Sequence, residues 1–155
     1  NQVNVEIDFD GQRYPIEIPQ GVSTEQLLTL TAGENAVYQG DEIEVPLIEI
    51  AHARSGDKGN HSNIGVIARK ADYLPWIRAA LTEQSVASYM QHVLDAEKGR
   101  VIRYELPGLN ALNFMLENAL GGGGIASLRI DPQGKAFAQQ LLDMPVKVPA
   151  HLLEK

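Results

Sequence analysis

Apolar and polar positions alternate at the start of the chain. Val3, Val5, Ile7 and Phe9 are separated by Asn4, Glu6 and Asp8, and Tyr14, Ile16 and Ile18 alternate again after Asp10-Gly11. A period of two with an Asp-Gly between the runs predicts a β-hairpin. Ser23 followed by Gln26 forms a capping-box pattern ahead of Leu27, Leu28 and Leu30, so a short helix is expected next. Gly33 and Gly40 bracket a loop.

From Glu42 to Ala51 the chain is rich in β-branched residues, with Ile43, Val45 and Leu47 on one side and Ile48 and Ile50 on the other. This predicts a strand buried on both faces, with Pro46 at an edge or bulge. A polar loop, His52 to Asn63, is expected before a second apolar strand at residues 64–68. Asp72 and Pro75 open a helical pattern carried by Leu74, Ile77 and Leu81, which resumes after Thr82 at Val86, Met90, Val93 and Leu94. Val101 to Leu106 reads as a strand stopped by Pro107-Gly108, and Asn110 is placed to cap a helix through Leu112, Leu116 and Leu120. Gly121 to Gly124 would end that helix, Ile125 to Ile130 would form a returning strand, and Phe137, Leu141 and Leu142 pattern a last helix after the turn Asp131-Pro132-Gln133-Gly134. The resulting order is an α+β domain, a sheet with helices packed on one face, preceded by the hairpin. Residues 1–41 form a separate hairpin layer or the tail of a preceding domain, and residues 42–155 form the main domain.

Composition narrows the chemistry. A chain of 155 residues, 44% hydrophobic and 21% charged, is long enough to bury a core without staples. It has no apolar run of about 20 residues, so a non-membrane, cytoplasmic protein is expected. With no cysteine, disulfides, thiolate catalysis and thiolate metal sites are excluded. A formal charge of -7 argues against nucleic-acid binding. The chain begins at Asn1, consistent with a fragment of a longer protein.

The densest chemistry lies in His52-Ala-Arg-Ser-Gly-Asp-Lys-Gly-Asn-His-Ser-Asn63. Gly56 and Gly59 give backbone freedom around Asp57-Lys58, Arg54 offers a bidentate fork, and Lys58 a point charge, a combination suited to a phosphate or carboxylate. The alternative is a solvated loop in which Asp57 pairs with Arg54 or Lys58 and the Asn and Ser side chains close local turns. It is not a Walker loop, because Lys58 is followed by Gly59. His52, Asp57 and His61 are too irregularly spaced to predict an obligatory metal, and no cofactor is expected. Ser55 near His52 lacks the elbow of a serine nucleophile, while His52 remains a candidate general acid or base. The glycine run allows close backbone approach to a ligand or simply ends a helix, and Asn113 precedes it. Trp76, Tyr89, Tyr104 and Phe114 are scattered and make no base-stacking platform.

His52-Ala-Arg-Ser-Gly-Asp-Lys-Gly-Asn60, continued by Asn63-Ile-Gly-Val-Ile-Ala-Arg69, resembles the C-terminal domain of the acyclic terpene utilisation (AtuA) family. Tyr104-Glu-Leu-Pro-Gly-Leu-Asn-Ala-Leu-Asn-Phe114, Ala119-Leu-Gly-Gly-Gly-Gly124, Ser127-Leu-Arg129 and Asp131-Pro-Gln-Gly-Lys135 continue the resemblance at comparable spacing. The resemblance implies a ferredoxin-like fold, attached in cis to or docked in trans on a larger N-terminal domain, in bacterial proteins associated with breakdown of acyclic terpenoids and related branched compounds. It transfers no catalytic residue.

Two functions follow as expectations. In the first, the 52–63 segment and the Gly121 turn form an anion site for an acyl-CoA or free carboxylic acid. Arg54, Ser55 and Lys58 hold the anion, His52 or Asp57 handles protons, Asn60, Asn63 and Asn113 fix carbonyl or amide groups, and Gly122 and Gly123 supply backbone contacts. In the second, the domain is a non-catalytic module that docks on the larger domain, with room for a homo-oligomer. The strand at 45–51 is expected in the sheet interior, and the 52–63 and 121–124 segments are expected to converge.

Overall fold

The computed structural model describes residues 5–16 and 40–153. The helix expected after Ser23 lies outside these residues. The chain divides into two compact units, residues 1–32 and 33–155. In the first, β1 (Val5–Phe9) and β2 (Gln12–Ile16) pair antiparallel as the alternation predicts. Asp10 and Gly11 both take positive φ, 53° and 77°, as a type I′ turn requires.

The second unit is built on four antiparallel strands in the order β4-β5-β7-β6, namely β4 (Ala51–Lys58), β5 (His61–Ala68), β7 (Ala111–Glu117) and β6 (Arg100–Leu106). The strands β5 and β6 run in the same direction with β7 between them. They are joined through helices α1 (Leu74–Ala80) and α2 (Glu83–Tyr89), which makes the split β-α-β crossover of ferredoxin-like folds. The edge beside β5 is held by β4, the strand immediately before it. After α3 (Phe137–Leu142), the strand β8 (Pro145–Pro149) instead pairs with β3 (Glu42–Pro46) as a separate two-stranded sheet.

One face of the four-stranded sheet carries the core. Ile64, Val66, Leu112, Phe114 and Leu116 point into it and meet Ile77, Leu81, Val86, Phe137 and Leu141 from the helices. Thr82 caps α2 by accepting the Ser85 N–H at 3.0 Å, a contact typically worth about 1 kcal/mol. Arg103 closes α1 by donating to the Arg78 and Leu81 carbonyls while pairing with Glu105, which also binds Arg78 at 2.8 Å. No helix among the described residues is long and apolar enough to cross a membrane.

Four expectations are corrected. The run from Glu42 to Ala51 is not one interior strand. Pro46 ends β3, residues Leu47–Glu49 make a 3-10 turn, and β4 begins at Ala51 on the sheet edge. Leu47 and Ile50, three apart, are fully buried while Ile48 is exposed, so the apolar run followed a turn of helix and not a pleat. The polar segment His52 to Asn63 is a β-hairpin and not a loop. Ala111–Glu117 is a strand where a helix was expected, and Asn110, at φ 50°, sits in a turn and caps nothing. Residues 125–130 form no strand; Ile125, Leu128 and Ile130 stand fully in solvent on an irregular segment. The crossover helices and the last helix lie where the periodicity placed them.

Candidate functional site

The polar hairpin turns through Gly59 and Asn60, with Lys58 opposite His61. Gly59 leads the turn at φ 68°, the position at which a two-residue type II′ turn needs glycine. Side chains alternate along β4. Ala51, Ala53 and Ser55 face the helices, whereas His52, Arg54 and Lys58 face the side that none of the described helices covers. The polarity of this segment thus belongs to an open sheet face.

On that face the strand register sets out cross-strand rows. Arg54 lies opposite Gly65, Gly65 opposite Asn113, and Asn113 opposite Tyr104. In the next row Gly56 lies opposite Asn63, Asn63 opposite Met115, and Met115 opposite Ile102. Gly56 and Gly65 are strand residues without side chains, so a hollow opens where a continuous row would stand. A cleft of ≈ 390 Å³ forms there, lined by Arg54, Ser55, Gly56, Asp57, Lys58, Asn63, Gly65 and Lys135.

Lys135 enters the cleft from a distant part of the chain. Its Nζ lies 3.1 Å from where a Cβ on Gly56 would sit. The Ser55 hydroxyl donates to the Lys135 carbonyl at 3.1 Å and accepts the Ala138 N–H at 2.9 Å, fixing the start of α3. The Asp131 carboxylate accepts the N–H groups of Lys135 and Ala136 at 2.9 and 2.8 Å. Among the described residues, no carboxylate pairs with Arg54, Lys58 or Lys135. Three cations without ionic partners, in a chain of charge -7, make a local positive field that the overall balance conceals. Opposite them the Asn63 amide donates to Asn113 Oδ1 at 3.0 Å, leaving N–H donors of both residues for a ligand oxygen. Outside the lining, Arg100 pairs with Glu117, and this hydrogen bond holds the Glu117 carboxyl below its ordinary range.

The anticipated residues separate into two groups. Arg54, Ser55, Asp57, Lys58 and Asn63 line the cleft, with Asn113 beside it. Ser55, however, is buried with its hydroxyl engaged twice, a geometry that positions Lys135. His52 lies on the same face one register step before Arg54, outside the lining. Asn60, Gly122 and Gly123 converge as expected, but at the hairpin tip. The Asn60 side-chain oxygen accepts the Gly122 N–H at 2.7 Å, its amide donates to Asn118, and its carbonyl accepts the Ala119 and Leu120 N–H groups at 3.0 and 3.1 Å. His61 Nδ1 accepts the Asn118 N–H at 2.9 Å. These contacts clamp the hairpin tip. Among the described residues, no cluster of three His, Asp or Glu suits a metal. Lys135 was missed as a site residue. Its only sequence signal is the Asp131-Pro-Gln-Gly turn, which holds it near a helix start without naming its target.

A family model, the AtuA ferredoxin-like domain, matches residues 45–147, more than half of the chain. No curated protein and no solved structure matches it.

Proposed function

The chain belongs to the AtuA ferredoxin-like domain family, and on that premise we propose that it is a ligand-binding domain that holds an anion, a carboxylate or the phosphate of an acyl-CoA, in the cleft between β4, β5 and Lys135. The observation that carries the reading is the hollow at Gly56 and Gly65 beneath three cations without ionic partners. Glycine in a strand interior weakens the strand, and its recognised use is to let a ligand approach the backbone. Arg54 engages the anion as a planar fork, Lys58 and Lys135 add point charges, and Asn63 and Asn113 donate from the floor. Asp57 is the one carboxylate in the lining, though the alternation of β4 puts it on the side of Ser55, opposite Arg54 and Lys58. We further propose that this binding serves the breakdown of acyclic terpenoids or related branched acids in the cytoplasm, a reading that the family membership supports.

Calorimetry with acetate, phosphate, coenzyme A and short acyl-CoAs tests the reading. Arg54 is exposed, so Arg54→Ala is expected to weaken binding by about tenfold, the low end for a charged hydrogen bond, and raised salt should weaken it further. Arg54→Lys should not restore affinity, because the fork geometry is lost. Gly65→Val is the sharper probe. A Cβ at Gly65 would meet only the Arg54 carbonyl, at 3.9 Å, so the unfolding midpoint should hold or rise while anion binding disappears. Wild-type affinity in both Arg54→Ala and Gly65→Val would sink the proposal.

A second reading, a non-catalytic module docked on a larger AtuA-type domain in cis or in trans, is favoured by the fully exposed Ile125, Leu128 and Ile130. Three such residues within six positions make an apolar patch of the kind that marks protein contacts. Thermal shifts produced by the larger domain alone, with none from any anion, would favour it.

A further inference from the structure

We infer that the ligand of this cleft is amphipathic, and that the helix-free sheet face next to the cleft is the bed for an aliphatic tail; the inference rests on the anion reading above. The row Arg54, Gly65, Asn113, Tyr104 runs across all four strands. Its second member has no side chain, and its third is drawn toward Asn63 by a hydrogen bond. The row on one side places Ile67, Ala111 and Leu106 on the same face, and the row on the other side places Met115 and Ile102 there. The result is a shallow trough that starts at the cations, has a glycine floor, and is walled by aliphatic side chains as far as Tyr104.

Exposure agrees with a surface awaiting a cover. Ile67 is 45% and Tyr104 47% exposed, Ile102, Leu106 and Met115 are half-buried and only Ala111 of the named wall is buried, whereas every core-facing residue of β5 and β7 named above is at or near zero. Among the described residues no helix covers this face, since the core they build lies on the other one. Polarity along the trough is ordered. Arg54 and Lys58 stand on the edge strand β4, and the apolar side chains lie over the three strands beyond, β5, β7 and β6. A simple anion would use only the first part. A ligand with a charged head and a hydrocarbon tail uses all of it, and neighbouring strands spaced about 4.8 Å apart give the tail a path of roughly 14 Å from β4 to β6. That suits a medium-chain acyl group.

The test is a calorimetric series on the whole chain with acetate, butyrate, hexanoate and octanoate, and inorganic phosphate as a tail-free control. Affinity is expected to rise about two- to fourfold per added methylene, from partial to full burial on the face. The double variant Ile102→Ser with Met115→Ser should flatten that rise while acetate and phosphate bind as in the wild type. Affinity independent of tail length in the wild type would overturn the trough and leave the anion site standing. Failure of every anion to bind would remove both. An unchanged length dependence in the double variant would also overturn the tail path.

Discussion

Gly123→Ala is expected to lower the free energy of unfolding by about 2–5 kcal/mol, although residue 123 lies outside the cleft lining. Two costs coincide at this position. Gly123 has φ 75°, where a side chain costs about 1–2 kcal/mol. A Cβ there would also lie 2.3 Å from the Gly59 carbonyl oxygen, and relieving that backbone clash costs about 1–3 kcal/mol. The neighbour cannot yield easily, because Gly59 is pinned in the hairpin turn beside Asn60. Gly124→Ala is the control. It carries the positive φ, 40°, with nothing within 4 Å, so only the smaller strain of about 1 kcal/mol is expected. Urea unfolding of the two variants separates the contributions, and equal midpoints would show that the close approach to Gly59 carries no cost.

Phe114→Ala is expected to cost about 3–5 kcal/mol, the range for deleting a fully buried aromatic ring. Phe114 lies at the middle of β7, an interior strand, is completely inaccessible, and faces the helices across the sheet. In a domain stable by about 5–15 kcal/mol this is a large share of the total. A shift in denaturant midpoint with an unchanged slope would be read as lost stability alone. A loss below about 1 kcal/mol would mean that the surrounding core closes over the gap.

Phe114 also shows why part of the fold was hidden in the sequence. Leu112, Leu116 and Leu120 are spaced by four and suggest a helical stripe, but Leu112, Phe114 and Leu116 are equally spaced by two, and it is the second pattern that the sheet buries. Leucine has no strong strand preference, and Asn110 resembles a helix cap until its positive φ is known. The crossover helices had no such rival, since Pro75 and Thr82 mark their starts and Leu74, Ile77 and Leu81 fit only one period. For the site, the chemistry of Arg54, Lys58 and Asn63 was legible because polar and small residues cluster between apolar strands. Its geometry was not. The segment alternates small with polar instead of apolar with polar, because no described helix packs on its outer face and the inner face of β4 packs Ala51, Ala53 and Ser55 closely against α3. That alternation was the signal, read past because Gly, Asp and Ser are poor strand formers. The role of Lys135 could not be read locally at all, since it depends on an 80-residue separation between Ser55 and Lys135.

The small sheet made by β3 and β8 sets the order in which this unit can be completed. Val45 meets Val146, so the pairing joins segments from the two extremes of the fold, and the entropy of closing that interval is lowest once the hairpins and crossover helices have already shortened it. As a hypothesis about folding kinetics, β3 and β8 zip last, after the transition state. A Val146→Ala variant should then speed unfolding while leaving the refolding rate nearly unchanged. A refolding rate that fell in step with stability would place this pairing in the nucleus instead. During synthesis, the same geometry keeps β3 without its partner until Pro149 has left the ribosome, so the four-stranded sheet that carries the cleft has a period in which it can form before the unit is closed.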